Sequence, residues 1–205
     1  MNEILFFGRN QYPKLFKNKS KKIKKPIQFK FENENEKQIK QISSSDFATI
    51  FLFKNGKAIE YLNQRNSKQN PYKIQIEKNI QKEKILIQNN PNQFINISSL
   101  IEDTNDRIIQ DVVSGRDSIY LLTSNQNAYG IGLNQYCQLG FDSETLPKTE
   151  KPILMMKNVS KIFSGNFSSS VFLLNSNQEL FGCGYNIYGQ LGLGESRRKE
   201  RKIQN

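Results

Sequence analysis

The side chains that carry most enzyme chemistry are scarce in this sequence of 205 residues. It contains no His, so it offers no Ser-His-Asp or Cys-His nucleophile pair, no His zinc ligand and no His general base. Its two Cys, Cys137 and Cys183, are too few for a four-thiolate metal site or a disulfide framework. We therefore predict no enzyme: no catalytic residues, no metal site and no cofactor. We interpret both Cys as small buried hydrophobes, with a regulatory disulfide as the less favoured alternative.

Five carboxylates fall within sixteen positions: Glu102, Asp103, Asp106, Asp111 and Asp117. A pair used for acid–base catalysis would need burial and a raised pKa. These residues stand among Asn, Thr and Arg. The pattern favours a solvated loop over a catalytic site.

Two Gly-x-Gly pairs, Gly130-x-Gly132 and Gly182-x-Gly184, suggest a dinucleotide-binding fingerprint at first sight. Neither pair has the third Gly at the required spacing, and a turn rather than a helix is expected after each. The pattern also occurs twice, which is unusual for a cofactor site. A phosphate-binding role is therefore not favoured.

The chain is basic, with a formal net charge of +11, and eight Lys with no acidic residue lie between Lys14 and Lys30. The functional interpretation is a nuclear-import signal or a polyanion contact through the densest part: Lys21, Lys22, Lys24 and Lys25. The alternative is a solvated loop whose Lys content reflects AT-rich codons. We favour the loop, because no interleaved aromatic residues suggest base stacking.

The N-terminal segment, Met-Asn-Glu followed by four apolar residues, is too short and too acidic for a signal peptide. No run of 18 apolar residues occurs. We expect an intracellular protein, cytoplasmic or nuclear, without a membrane partner.

The second half of the chain repeats itself. Residues 121–140 match residues 173–192 at an offset of 52, with twelve of twenty positions identical. Upstream, Ser114-Gly115 matches Ser164-Gly165 at an offset of 50. Self-similarity at such a period is typical of repeat architectures.

Eroded copies precede these two. Residues 8–16 align with 132–140, and residues 51–59 align with 121–129 without a gap. We divide the chain into units at about 1–38, 39–107, 108–158 and 159–205, with divergent or loop-rich insertions at 17–38 and 61–107 and a basic tail at 195–205. The predicted structural repeat residues are Gly8, Asn10, Gly115, Gly130, Gly132, Asn134, Gln138, Gly140, Gly165, Gly182, Gly184, Asn186, Gly189, Gln190, Gly192 and Gly194.

Each unit is predicted to form short antiparallel strands, because apolar runs rich in aromatic and β-branched residues alternate with Ser, Asn and Gly. Asn55-Gly56 predicts a type I′ hairpin turn, and Asn125-Gln126 and Asn177-Gln178 occupy the equivalent places. The paired glycines are expected on a strand that enters the crowded axis of a radial β-structure. One such sheet cannot bury both faces alone, so neighbouring sheets must stack.

Residues 180–194, Leu-Phe-Gly-Cys-Gly-Tyr-Asn-Ile-Tyr-Gly-Gln-Leu-Gly-Leu-Gly, resemble the signature of the regulator of chromosome condensation repeat. That signature is an apolar strand, then small-x-Gly-x-Asn, then Gly-Gln-Leu-Gly-x-Gly. The match is specific over 108–194, fair over 1–16 and 39–60, and absent over 61–107. The resemblance implies an all-β fold, an incomplete β-propeller of about three to four antiparallel blades.

Members of that family usually have seven blades, so four units imply a truncated propeller, a gene fragment, or a half that self-associates through its open edge. The resemblance implies a non-catalytic protein-interaction module that presents loops on a blade scaffold. One alternative is guanine nucleotide exchange on a Ran-type small GTPase, against which the absence of His argues. Another is chromatin or nucleic-acid binding through the Lys-rich segment.

Overall fold

The computed structural model describes residues 4–9, 22–29, 38–45, 48–62, 94–165, 167–192 and 197–204. Within these ranges the chain forms fourteen β-strands and two single-turn 3₁₀ helices, Ser98–Leu100 and Thr104–Asp106. The strands make four separate sheets, and every hydrogen-bonded pair of neighbours is antiparallel. In this part of the chain no helix has the length and apolarity to cross a bilayer.

The strands follow the chain order within each sheet, so each sheet is a simple meander. The first sheet has two strands, β1 (Ile4–Arg9) and β2 (Lys22–Phe29). The second sheet comprises β3 (Ile39–Ser44), β4 (Ala48–Phe53), β5 (Ala58–Leu62) and β6 (Phe94–Asn96). The third sheet comprises β7 (Ile109–Ser114), β8 (Ser118–Thr123), β9 (Ala128–Leu133) and β10 (Lys148–Met156). The fourth sheet comprises β11 (Val159–Phe163), β12 (Ser170–Asn175), β13 (Leu180–Asn186) and β14 (Arg197–Gln204).

Two apolar cores lie between successive sheets. One joins the second and third sheets through residues such as Ile50, Leu52 and Leu121. The other joins the third and fourth sheets through residues such as Leu122, Leu139 and Leu173. Because successive residues of a strand point to opposite faces, β8 contributes to both cores, and all six of its residues are buried. The predicted all-β fold with stacked antiparallel sheets is confirmed.

The hairpin turns differ from the prediction. In the Asn55-Gly56 turn only Gly56 has a positive φ, 82°, and Gly56 N–H donates to the Phe53 carbonyl at 3.0 Å. Phe53 N–H also donates to the Lys57 carbonyl at 2.9 Å, which makes a three-residue loop with a bulge at Gly56. A type I′ turn would need positive φ at Asn55 as well, so that prediction is wrong. The equivalent left-handed residues are Gln126 (φ 61°) and Gln178 (φ 66°), not the Asn before each.

The paired glycines also lie elsewhere than predicted. Adjacent sheets contact each other through their first strands, since β7 contacts both β3 and β11. These first strands are therefore the ones nearest the centre of the stacked sheets. Gly130 and Gly132 lie on β9, and Gly182 and Gly184 on β13, which are third strands. The expectation that they line a crowded axis is therefore wrong.

Two predicted loop segments include strands. Lys22–Phe29 of the basic segment forms β2, which pairs with β1, so the interpretation as a loop fails for this part. In the predicted basic tail, Arg197–Gln204 forms β14, the outer strand of the fourth sheet. Residues 63–93, within the predicted insertion at 61–107, lie outside the described residues.

Candidate interaction surface

The motif asparagines hold the loops that follow β9 and β13. Asn134 is fully buried, and its Oδ1 accepts a hydrogen bond from Leu139 N–H at 2.8 Å. Its Nδ2 donates to the carbonyls of Phe141 (3.0 Å) and Leu146 (2.8 Å). In the second copy, Asn186 is equally buried and its Oδ1 accepts from Leu191 N–H at 2.9 Å. One amide side chain thus satisfies several backbone groups that the loop leaves without strand partners.

The Gln of each copy tightens the same loop. Gln138 Oε1 accepts from Tyr136 N–H at 2.9 Å, and Gln190 Oε1 accepts from Tyr188 N–H at 2.9 Å. The chain then turns through a left-handed residue, which is Cys137 (φ 60°) in one copy and Gly189 (φ 70°) in the other. The two copies therefore have the same local geometry although that residue differs.

The first glycine of each pair makes room for the motif Leu of the loop that follows it. A Cβ at Gly130 would lie 2.8 Å from Leu139 Cδ2, and a Cβ at Gly182 would lie 3.3 Å from Leu191 Cδ2. The second glycine of each pair has a left-handed φ, 123° at Gly132 and 115° at Gly184. The motif thus folds the loop back over its own sheet and inserts an apolar side chain there.

The other predicted repeat residues have these positions. Gly140 (φ 79°) and Gly192 (φ 72°) are the left-handed residues that follow Leu139 and Leu191, and Gly8 lies in β1. Gly115 is buried against Ser168 O and the Tyr120 ring, whereas Gly165 is exposed. Asn10, Gly194 and Lys21 fall outside the described residues, while Lys22, Lys24 and Lys25 belong to β2.

These loops lie at one end of the third and fourth sheets. Arg116 N–H, in the β7–β8 turn, donates to Ser168 O of the β11–β12 turn at 2.8 Å. The rings of Tyr136 and Tyr185 meet edge to face with centroids 4.9 Å apart, which joins the loop after β9 to the end of β13. We call the end formed by these turns and loops the loop rim.

Large side chains of the loop rim are open to solvent. Tyr188 is 84% exposed and Phe167 is 72% exposed. Tyr188 packs edge to face on Tyr185 with ring centroids 6.2 Å apart. The Arg116 side chain, in the β7–β8 turn, is 58% exposed. Tyr, Phe and Arg are the residue types enriched at the centres of protein interfaces. Sequence reasoning recognised the motif here but not that this end of the sheets carries exposed aromatic residues, of which Tyr188 is identical in both copies and Phe167 lies outside the motif.

One of the five carboxylates predicted in a solvated loop is buried. Asp106 is 2% exposed, and its Oδ2 accepts from Tyr129 Oη at 2.6 Å and Asn127 Nδ2 at 2.7 Å. Burial alone would raise the pKa of Asp106, but hydrogen bonds from Tyr129, Asn127, Asn125 and Thr123 stabilise the carboxylate and lower its pKa below the usual value. The solvated-loop prediction is wrong for Asp106, whose carboxylate links the Thr104–Asp106 turn to the third sheet.

A groove of about 710 Å³ lies next to this carboxylate, at the outer edge of the third sheet. Lys148, Lys151 and Lys157 line it together with acidic residues. Lys151 Nζ lies 3.4 Å from Glu102 Oε1, and Lys148 Nζ lies 3.4 Å from Glu150 Oε1. Opposite charges therefore alternate along the groove and partly pair with one another.

Glu60 is a second buried carboxyl group that sequence reasoning missed. By the alignment without gaps it occupies in β5 the position that Gly130 occupies in β9. It is 1% exposed, and no hydrogen-bond partner for its Oε1 occurs among the described residues. Burial raises the pKa of Glu60 to about 8. The repeat motif is no longer recognisable at Glu60, so the sequence pattern did not predict a buried carboxyl group there.

Both Cys are buried and free, which confirms their interpretation as buried hydrophobes. Burial, with a smaller contribution from Cys137, raises the pKa of the Cys183 thiol to about 12. Such a thiol is not a nucleophile at neutral pH. The described residues contain no group of three or more His, Cys, Asp or Glu side chains arranged to hold a metal ion.

Comparison with known proteins relates this architecture to solved β-propellers. No protein-family model matches the sequence. A region of 87 residues is 28% identical to the mouse serine/threonine-protein kinase Nek9. The matched region makes up 42% of this chain and 9% of the kinase. The chain therefore spans a small part of that relative.

Solved structures of two proteins match most of the chain. Human WBSCR16 superposes with a TM-score of 0.70 at 15% identity, over 98% of this chain and 48% of that protein. Prp20p from Saccharomyces cerevisiae, described with its binding properties to Gsp1p and histones, superposes with a TM-score of 0.58 at 17% identity, over 89% of this chain and 39% of that protein. A second structure of the yeast protein, named RCC1 (Prp20) and bound to Kap60, gives a TM-score of 0.55. The chain spans about half the length of these propellers or less.

Proposed function

We propose that this chain, which has the blade fold of the regulator of chromosome condensation propellers, is a non-catalytic module that binds proteins through its loop rim. The observation that carries the proposal is that buried motif side chains fix the loops of the rim while large aromatic side chains of the same rim face solvent. The polar motif residues Asn134 and Gln138 point their hydrogen bonds inward to the backbone. Tyr188, which matches Tyr136 of the other copy, and Phe167, which lies outside the repeated segment, face solvent.

The loop rim is suited to protein binding for two reasons. Its loops are fixed by buried hydrogen bonds, so ordering them on binding costs little conformational entropy. Its exposed aromatic side chains offer a large apolar area with few rotatable bonds.

The test compares two pairs of substitutions in affinity capture from source-cell lysate with quantitative mass spectrometry. Tyr188→Ala with Phe167→Ala should remove the proteins captured by the unmodified chain, because both rings lie on the loop rim. Ile108→Ala with Leu154→Ala changes two side chains that are also exposed, 57% and 37%, but lie outside that rim. This control pair should leave capture unchanged. Equal capture by all three proteins, or none by the unmodified chain, would refute the proposal.

Guanine nucleotide exchange on a Ran-type small GTPase is a second candidate, supported by the described binding of Prp20p to Gsp1p. We expect this chain not to accelerate exchange, because its sequence contains no His. Release of labelled GDP from a purified Ran-type GTPase measures exchange directly. Acceleration by this chain would favour the exchange factor over the simple module.

Chromatin or nucleic-acid binding through the Lys-rich segment is the third candidate, supported by the described binding of Prp20p to histones and by the net charge of +11. Replacing Lys21, Lys22, Lys24 and Lys25 with Gln should weaken DNA binding and flatten its salt dependence if these residues contact phosphates. Unchanged affinity would eliminate this candidate. A protein with this function would act in the cytoplasm or the nucleus.

A further inference from the structure

Three tyrosine rings form a continuous row on the loop rim. The ring of Tyr185 lies between those of Tyr136 and Tyr188, with its centroid 4.9 Å from the first and 6.2 Å from the second. Both contacts are edge to face, with 72° between the ring planes. Rings turned in this way do not stack into a flat surface, so ridges and hollows alternate along the row. We call these three residues the tyrosine row.

The repeat itself supplies two of the three rings. Tyr136 and Tyr188 occupy the same position at the offset of 52, whereas Tyr185 stands where the other copy has Leu133. Tyr188 is 84% exposed, and the other two rings are partly exposed. The tyrosine row therefore spans the loop after β9 and the end of β13, and it is open to solvent along its length.

The loops that carry the tyrosine row use their own backbone N–H groups. In the loop after β9, the amides that donate to acceptors of the same loop belong to Asn134, Tyr136, Cys137, Leu139 and Gly140. In the loop after β13, the corresponding amides belong to Tyr188, Gly189, Leu191 and Gly192. None of these amides is left to pair with a partner chain in the way that the edge of a sheet would.

The hydroxyl groups of the tyrosine row have no such internal role. Within the described ranges, no hydrogen bond joins the hydroxyl of Tyr136, Tyr185 or Tyr188 to another residue. The buried tyrosines differ, because Tyr120 Oη donates to Gln138 O at 3.2 Å and Tyr129 Oη donates to Asp106 at 2.6 Å. The row therefore offers a partner ring faces and hydroxyl donors, but no backbone donors.

We propose that the tyrosine row binds a proline-rich segment of a partner protein in the polyproline II conformation. The backbone carbonyls of that conformation make no internal hydrogen bonds, so they accept from the tyrosine hydroxyls. Proline has no N–H, so the segment needs neither an acceptor nor a sheet edge. Its pyrrolidine rings pack in the hollows of an aromatic surface. The inference rests on the loop-rim function and names the chemistry of the partner.

A proline-rich segment fits the tyrosine row better than a β-strand does. A strand laid over the rings would leave its own N–H groups without acceptors. A polyproline II segment is extended and stiff before it binds, so little conformational entropy is lost on its side. Little is lost on the other side either, because the Asn134 and Asn186 side chains hold the loops below the row. A basic segment attracted to the ring faces is the remaining competitor.

The test titrates the full chain into fluorescein-labelled decaproline and follows fluorescence anisotropy. We expect saturable binding of decaproline and none of a Gly-Ser repeat peptide or an oligolysine of equal length. Tyr188→Phe keeps the ring and removes one hydroxyl, so it should weaken binding about fivefold, the equivalent of one hydrogen bond. Phe167→Ala is the matched control, because that ring is 72% exposed on the loop rim but is not part of the row.

The control variant should bind decaproline as the unmodified chain does. No saturable binding of decaproline, tighter binding of the oligolysine, or equal affinities of Tyr188→Phe and the unmodified chain would overturn the proposal. Thermal unfolding of Tyr188→Phe should match that of the unmodified chain, because the hydroxyl it removes has no partner within the described ranges.

Competition separates this inference from the loop-rim function. Decaproline should displace the proteins that the unmodified chain captures from lysate through Tyr188. Captured proteins that stay bound in excess decaproline would overturn the proline-rich partner and leave the loop-rim function in place. Saturable decaproline binding without any captured protein would do the reverse.

Discussion

The buried carboxyl group of Glu60 should make the stability of the protein fall as the pH rises through neutrality. Its pKa is about 8 in the folded chain, against 4.5 for the unperturbed group. Between these values the folded chain holds a proton that the unfolded chain has lost, so the free energy of unfolding falls by about 1.4 kcal/mol per pH unit. From pH 4.5 to pH 7 this amounts to about 3 kcal/mol, a large part of the stability of an ordinary domain.

Glu60→Gln removes the ionisable group and keeps its size. Urea unfolding followed by circular dichroism at pH 5, 6 and 7 measures the slope. We expect the variant to lose that slope and to be about 3 kcal/mol more stable than the unmodified chain at pH 7. Glu102→Gln is the control, because the Glu102 side chain is 82% exposed. If Glu60→Gln and Glu102→Gln show the same pH dependence, the reasoning about Glu60 is refuted.

Three further substitutions test the motif and the buried network. Asn134→Ala leaves Leu139 N–H and two loop carbonyls without their partner and should cost about 3 kcal/mol in urea unfolding, whereas Gln135→Ala next to it, which is exposed, should cost almost nothing. Gly184→Ala would place a Cβ 2.2 Å from Ser169 O at a φ of 115° and should prevent stable folding. A Cβ at Gly192 would have no atom within 4 Å, so Gly192→Ala should lower the free energy of unfolding by about 1 kcal/mol from its left-handed φ alone. Similar losses of stability at both sites would contradict the packing argument. Tyr129→Phe removes the 2.6 Å hydrogen bond to Asp106 and should raise the pKa of that carboxyl group. Since a lowered pKa stabilises the fold above the unfolded value of 3.8 and the contribution is lost as the pH falls, acid unfolding should begin at higher pH in Tyr129→Phe and not in Tyr188→Phe.

The fold could be predicted from the sequence because the residues that determine the loop structure lie within each repeat. Each Asn-x-x-x-Gln-Leu-Gly segment makes contacts within its own unit, such as Asn134 with Leu139 and Gln138 with Tyr136. Two copies with the same spacing therefore indicate the same local structure twice. Stacking follows, because a sheet with two apolar faces needs a neighbour on each side.

The special residues were harder to predict because their properties depend on contacts between distant segments. Asp106 stands among polar residues in the sequence, yet Tyr129 of β9 and Asn127 of the turn before it both donate hydrogen bonds to its carboxylate. Glu60 lies where the motif fades, and only the packing of the second sheet shows that it is buried. The predicted type of hairpin turn was wrong because a Gly-containing dipeptide fits both a two-residue loop and a three-residue loop with a bulge.

Amide hydrogen exchange tests most directly whether the two motif copies build one repeated scaffold beneath the loop rim. The amides of Leu139 and Leu191 lie in loops, yet each is buried and donates to the motif Asn of its own copy. Both should exchange slowly and to a similar degree, and Asn134→Ala should release Leu139 while Leu191 stays protected. Rapid exchange at both amides, or protection at only one of them in the unmodified chain, would contradict the account.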